Sequence, residues 1–359
     1  MIPVTPTAIA RLASIGAIAL AVAGGFAFTA GWLSPERLSP RNIVDSLERH
    51  DGLHPGFRRA HAKGLCIEGR FVANGNGTAL SAAQVFAPGD VPVIGRFSTG
   101  GGQPRAPDGR LVFHAIALSL TQPDGEQWRM AMDDTPIFFV ATPQAFRDFQ
   151  LATAPDPATG KPDPVRAADF LVHHPETRAF MEWMRDAPLP SSFANGTYFS
   201  INAFRFTNAA GETRHVRWSL VPETPFEALD KSKLGNLSDD FLFEDLAERL
   251  HQGPLRWHMV VTVAAPEDPV DDATKPWPAD RQQIDVGTLT IDRAAVEEDG
   301  ACRNITFDPL ILPAGMAPSA DPLLAARSAV YSVSLTRRDG EPANPSAASS
   351  NPEINRAAP

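Results

Sequence analysis

The chain has 359 residues, 43% of them hydrophobic and 21% charged, and carries a net charge of −10. That length suits one large domain or two ordinary ones, the apolar content suits a packed core, and the negative charge argues against nucleic acid as the main partner. The 34 prolines predict many loops, and the only two cysteines, Cys66 and Cys302, are too few for a disulfide framework; they could pair in an oxidising compartment, but two separate core thiols are the favoured reading.

Residues 12–33 are uncharged and mostly apolar, with Arg11 before them and Glu36 and Arg37 after. About 22 such residues can span a bilayer, and the stretch also fits a long secretory signal core. Residues 1–34 are therefore expected to be a signal peptide or a membrane anchor, either of which places the rest in the periplasm or outside the cell.

The domain is expected to start at residue 38, with residues 40–47 opening the folded part and a turn-rich link over 51–57. Residues 60–66 alternate as a strand with His61 on the same face as Lys63 and Leu65. Residues 91–99, 111–120 and 127–132 give three more strands, with the turn Gln122-Pro123-Asp124-Gly125 between the last two. Successive strands on short turns predict an antiparallel sheet or barrel. Helices are expected at 143–151 and, interrupted by Pro175, at 165–186. Two strands follow within 197–220, then a helix at 239–251 and strands at 256–264 and 287–293. The fold class is α+β, an antiparallel barrel with surrounding helices.

Residues 321–338 predict the most informative helix. Asp321 caps its first turn and Pro322 takes the first helical position, where no N–H is needed. Arg327 and Tyr331 lie four apart and so meet on one face. Tyr331 is one of two tyrosines in the chain, and a guanidinium beside it suits a negatively charged oxygen. Residues 339–359 are rich in Pro, Ala, Asn and Ser and are expected to be disordered.

Several stretches, in order over residues 40 to 338, resemble the catalase family. Phe57-Arg58-Arg59-Ala60-His61-Ala62-Lys63-Gly64 resembles the stretch that carries the family's distal histidine. Gly95-Arg96-Phe97-Ser98-Thr99 matches the family almost to the letter. Asp133-Asp134-Thr135-Pro136-Ile137-Phe138-Phe139 resembles a family motif that has two asparagines in place of the aspartates. Phe146 and Phe149 keep the spacing of distal-side phenylalanines. Phe307-Asp308-Pro309, Pro313-Ala314-Gly315-Met316 and Arg327-x-x-x-Tyr331 resemble the run to the proximal tyrosine.

The resemblance implies haem, with Tyr331 as the iron ligand. It implies His61 as proton shuttle, Ser98 as its positioning partner and Asp133 in the place of a catalytic amide. Arg58, Arg96 and Arg338 fall where the family pairs arginines with haem carboxylates, Arg327 supports the tyrosine, and Phe146 flanks the ring. The chain is shorter than a typical catalase and is similar to the small catalase-related peroxidases. The implied activity is reduction of organic peroxides or hydrogen peroxide with an external electron donor. The alternatives are a true catalase and a non-catalytic exported barrel that binds haem or lipid.

Overall fold

The computed structural model describes residues 6–29, 38–110, 113–298 and 300–345. Its helices are α1 (Pro6–Thr29), α2 (Pro40–Asp51), α3 (Pro143–Thr153), α4 (Pro164–His173), α5 (Thr177–Asp186), α6 (Phe241–Gln252) and α7 (Pro322–Asp339). Its strands are β1 (Gly64–Ala73), β2 (Gly89–Thr99), β3 (His114–Thr121), β4 (Gln127–Asp133), β5 (Tyr198–Phe199), β6 (Phe204–Thr207), β7 (Thr213–Pro222), β8 (Leu255–Val263), β9 (Gln283–Ala295) and β10 (Met316–Pro318).

Eight strands close an antiparallel barrel in the order β7-β5-β4-β3-β2-β1-β9-β8, with β8 returning to β7. The alternating pattern of β4 and β8 points one face of each inward, as a period of two requires. The core holds Phe97, Trp128, Tyr198, Trp257 and Leu289, all fully buried. Phe97 stacks on Phe193 at 5.1 Å between ring centroids, and Trp128 meets Trp218 edge-on at 5.0 Å. Truncating one such ring would cost about 3–5 kcal/mol.

The edge of β7 opposite β8 is occupied in two parts. Its Thr213–Val216 half pairs with β6 and its Ser219–Leu220 half with β5. The chain between β5 and β6, residues 200–203, leaves the sheet, and Ile201 takes a left-handed backbone there (φ 58°). The sequence predicts one unbroken strand here, because nothing in the alternation of Tyr198-Phe199-Ser200-Ile201-Asn202 marks a break.

Three further expectations are corrected. His61 does not lie on a strand: β1 begins at Gly64, and His61 has φ 54°. The backbone on either side is tied elsewhere, the Ala62 N–H donating to the Gly101 carbonyl at 3.0 Å and the Lys63 carbonyl accepting from Thr99 N–H at 3.2 Å. Cys66 and Cys302 are not separate thiols but a disulfide with Cα atoms 5.4 Å apart. The turn after β9 brings the two together, since Ala295 at the end of β9 pairs with Cys66. The opening of the stretch expected to be disordered is ordered as far as residue 345. Glu341 pairs with Arg59 and accepts the Gly56 N–H at 2.8 Å, and Asn344 donates to the Pro55 carbonyl. Residues 346–359 lie outside the described residues.

The helix α1 contains an apolar span, Ala10–Thr29, with mean hydropathy 1.9 and no part of it buried. The end of the expected span, residues 30–33, lies outside the described residues.

Candidate active site

Among the described residues, two that are not glycine have a left-handed backbone, His61 and Ile201. Such conformations cost free energy and persist where the surroundings over-determine them. His61 lies just ahead of β1 and Ile201 breaks the path between β5 and β6, and each delivers a side chain to the neighbourhood of Arg327. His61 itself is delivered by the first, and Asn202 by the second.

The turn at His61 is held from below by Lys63. Its ammonium is buried and reaches Asp108 at 2.6 Å, Asp240 at 2.7 Å, and the carbonyls of Ala106 and Asp239 at 3.0 and 2.7 Å. His61 Nδ1 meets the Ser98 hydroxyl at 3.4 Å, and Phe113 packs against the imidazole edge at 5.8 Å. Burial, with Arg96, Arg327 and Arg58 nearby, pulls His61 down to about 3. The imidazole is therefore neutral at ordinary pH and able to accept a proton. The imidazole is half-buried.

Asp133 ends β4. Burial pushes its carboxyl up to about 6, opposed by the Arg327 charge. The neighbouring Asp134 points elsewhere: its Oδ1 accepts the His114 N–H at 2.9 Å, and it is buried with His114. Asp134 lies one residue past the end of β4; burial, opposed by the His114 N–H and joined by the Asp133 charge, pushes its carboxyl well up.

On the other side stands α7. Asp321 caps it by accepting the Leu323 N–H at 2.9 Å, and its other oxygen accepts from Asn202 at 2.8 Å. The Asn202 side-chain oxygen accepts from Arg327 Nη1 at 2.6 Å. Arg327 Nη2 donates to the Ala131 carbonyl at 3.0 Å and stands 3.5 Å from the Tyr331 hydroxyl. A relay of Asp321, Asn202 and Arg327 therefore fixes the charge beside Tyr331. Asp308 ties the helix to the preceding loop by accepting from Ser328 at 2.6 Å.

Arg58, Arg96 and Arg338 gather at one flank of this space. Arg96 lies flat across Gly64, where a Cβ would stand 2.2 Å from the guanidinium carbon. Arg58 Nη2 donates to the carbonyls of Cys302, Arg303 and Ile305 at 3.2, 3.3 and 3.1 Å. Burial and the neighbouring Arg96 pull Arg58 down to about 9. Its Nε, like Arg338 Nη2, is buried without a hydrogen-bond partner. Glu297 reaches Arg96 Nε at 2.5 Å and Arg58 Nε at 3.8 Å.

Phe146 lies in an aromatic cluster on α3, stacked parallel to Phe138 at 6.2 Å and close to Phe139 at 5.8 Å. Sequence reading did not find Asn202, Glu297 or Phe113. Asn202 sits inside an apparent strand, and Glu297 in an acidic turn that reads as solvated surface.

The catalase family profile matches residues 27–345. The chain belongs to the catalase family. A catalase-related peroxidase of Synechococcus elongatus is 37% identical over 92% of this chain and 95% of its own length. A catalase-related peroxidase of Mycolicibacterium paratuberculosis is 34% identical over 84% of this chain and 96% of its own. A crystal structure of a fungal catalase superposes with a TM-score of 0.72 at 22% identity, covering 85% of this chain and 64% of that one. That likeness establishes a shared catalase fold, with the barrel and surrounding helices in common.

The residues present fit a haem. Haem iron takes an axial ligand on one face, tyrosinate being one that haem proteins use, and the two haem carboxylates call for cations at one edge. Tyr331, with the Arg327 guanidinium 3.5 Å from its hydroxyl, would supply the first. Arg58, Arg96 and Arg338, two of them with buried donors still open, would supply the second.

Proposed function

We propose that this protein is a haem peroxidase that reduces hydrogen peroxide or organic peroxides with electrons from an external donor. The observation that carries the reading is the pairing of a neutral, Ser98-bonded His61 with the Arg327–Tyr331 pair in one electrostatic neighbourhood. Bound haem supplies a redox-active Lewis-acidic iron. Tyr331 is its ligand, Arg58, Arg96 and Arg338 hold its carboxylates, and Phe146 flanks the ring. His61 takes the proton from one peroxide oxygen and returns it to the other. Ser98 keeps the imidazole oriented for both transfers. Asp133 accepts a hydrogen bond when ionised and donates one when protonated.

The relatives that the chain matches over nearly their whole length carry the name catalase-related peroxidase, which supports the peroxidase reading over the dismutating one. Residues 38–338 form the haem domain. Residues 1–34 serve as signal or inner-membrane anchor, and the enzyme works in the periplasm. The apolar helix α1 and the Cys66–Cys302 disulfide both support export, since disulfides persist in oxidising compartments. The test compares oxygen release with oxidation of an aromatic dye at equal peroxide on one sample. Dye oxidation is expected to exceed oxygen release, and the reverse by a wide margin would make the protein a catalase in function.

A further inference from the structure

The arginine flank of the site contains one acid whose role the peroxidase reading leaves open. Glu297 follows β9, in the turn that the Cys66–Cys302 disulfide pins to β1. Its Oε1 accepts from Arg96 Nε at 2.5 Å and its Oε2 stands 3.3 Å from Arg96 Nη2. Arg58 Nε is 3.8 Å away. Burial pushes the Glu297 carboxyl up, but the charges of Arg96, Arg58 and Arg338 outweigh that and hold it below the ordinary glutamate range. It is therefore an anion at working pH.

Glu297 covers only one edge of Arg96, and the remaining donors of that guanidinium face elsewhere, one of them to the Ala62 carbonyl at 3.2 Å. Arg58 Nε and Arg338 Nη2 remain buried and without a hydrogen-bond partner. Around Glu297 the cluster sets three guanidinium charges against one carboxylate, a balance of plus two, and Arg303 and Asp339, which also act on Arg338, offset each other. Enclosed charges are stable when paired and costly when not. Haem brings two carboxylates at one edge, which closes this balance.

We propose that Glu297 is the charge-setting residue of the cofactor-carboxylate site, fixing it at plus two and so matching it to a porphyrin with two ionised carboxylates. This rests on the haem reading above. It assigns Glu297 a binding role toward the cofactor edge, separate from the proton chemistry at His61. Removing its charge leaves three unopposed cations, which strengthens the preference for an anionic porphyrin edge over a neutral one.

The experiment titrates full-length apoprotein with haem and with haem dimethyl ester, reading the Soret band. Both probes share the ring and the iron ligand, so damage to the fold weakens both alike and cancels in their ratio. In Glu297→Gln and Glu297→Ala the preference for haem over the diester should rise by about tenfold or more, the effect of one unit charge at a partly buried site. Glu297→Asp, which keeps the charge, should leave the preference near that of the wild type. An unchanged ratio in both neutral variants, or an equal rise in Glu297→Asp, overturns the proposal. A wild-type protein that binds neither probe overturns the haem reading itself and this inference with it.

Discussion

The Ser98 hydroxyl oxygen lies 3.4 Å from Nδ1 of His61. A hydrogen on Nδ1 donated to Ser98 leaves the Nε2 lone pair as the base. Ser98 is buried near the end of β2, two residues beyond Arg96, so a barrel strand fixes the direction of the imidazole. Ser98→Ala should slow peroxide cleavage by roughly tenfold, the lower end for loss of a positioning hydrogen bond, with haem binding intact. Stopped-flow measurement of the first peroxide step checks this, and an unchanged rate would remove Ser98 from the site.

His61→Ala should retain haem and slow the same step by roughly two to four powers of ten, the usual worth of a positioned acid–base group. Because burial and three arginines hold His61 down to about 3, the wild-type rate should show no loss of base as pH falls from 7.5 to 5. A falling rate with an inflection at an ordinary imidazole pKa, retained when Asp133 is replaced by Asn, would contradict the environment described for His61.

Asp133 titrates in the opposite sense. Burial raises its carboxyl to about 6, so it is a carboxylate above that pH and a neutral donor below it. A neutral donor can hold a second peroxide, which dismutation needs and donor-dependent turnover does not. The ratio of oxygen release to dye oxidation should therefore rise as pH drops through about 6. Asp133→Asn should show the higher ratio at every pH, with the inflection gone. A ratio that is flat in the wild type and unmoved by Asp133→Asn would place the partition elsewhere.

The Cys66–Cys302 bond ties β1 to the turn whose carbonyls at Cys302, Arg303 and Ile305 hold Arg58. It closes a loop between residues 236 apart in sequence. Cys302→Ala should lower the unfolding free energy by about 2–5 kcal/mol, read from denaturant midpoints at constant slope. An equal midpoint in the mutant would mean the bond does not constrain the chain.

Much of this site was legible because its chemistry sits in short, contiguous runs. The spacing from Asp321 through Arg327 to Tyr331 reads as one capped helix, and the structure forms that helix as α7. Arg96 and Ser98 fall on one predicted strand and are delivered by β2. What sequence could not show arises from long-range contact. Asn202 matters because Ile201 turns out of the sheet and Arg327, 125 positions on, donates to its side-chain oxygen. Glu297 matters because β9 returns it to Arg96 across 201 positions. The disulfide depends on the same return, and two isolated cysteines carry no sign of it. His61 was found through its neighbours, but its left-handed backbone was not, since Ala60 to Leu65 alternates as a strand would.

The account rests most directly on Tyr331 as the ligand of a bound haem, and one absorbance comparison tests it. Purified wild-type protein supplied with haem should show a Soret band and a ferric charge-transfer band. Tyr331→Phe should lose haem or move both bands to those of a water or hydroxide complex. Identical bands and equal haem content in the two proteins would contradict the account at its centre.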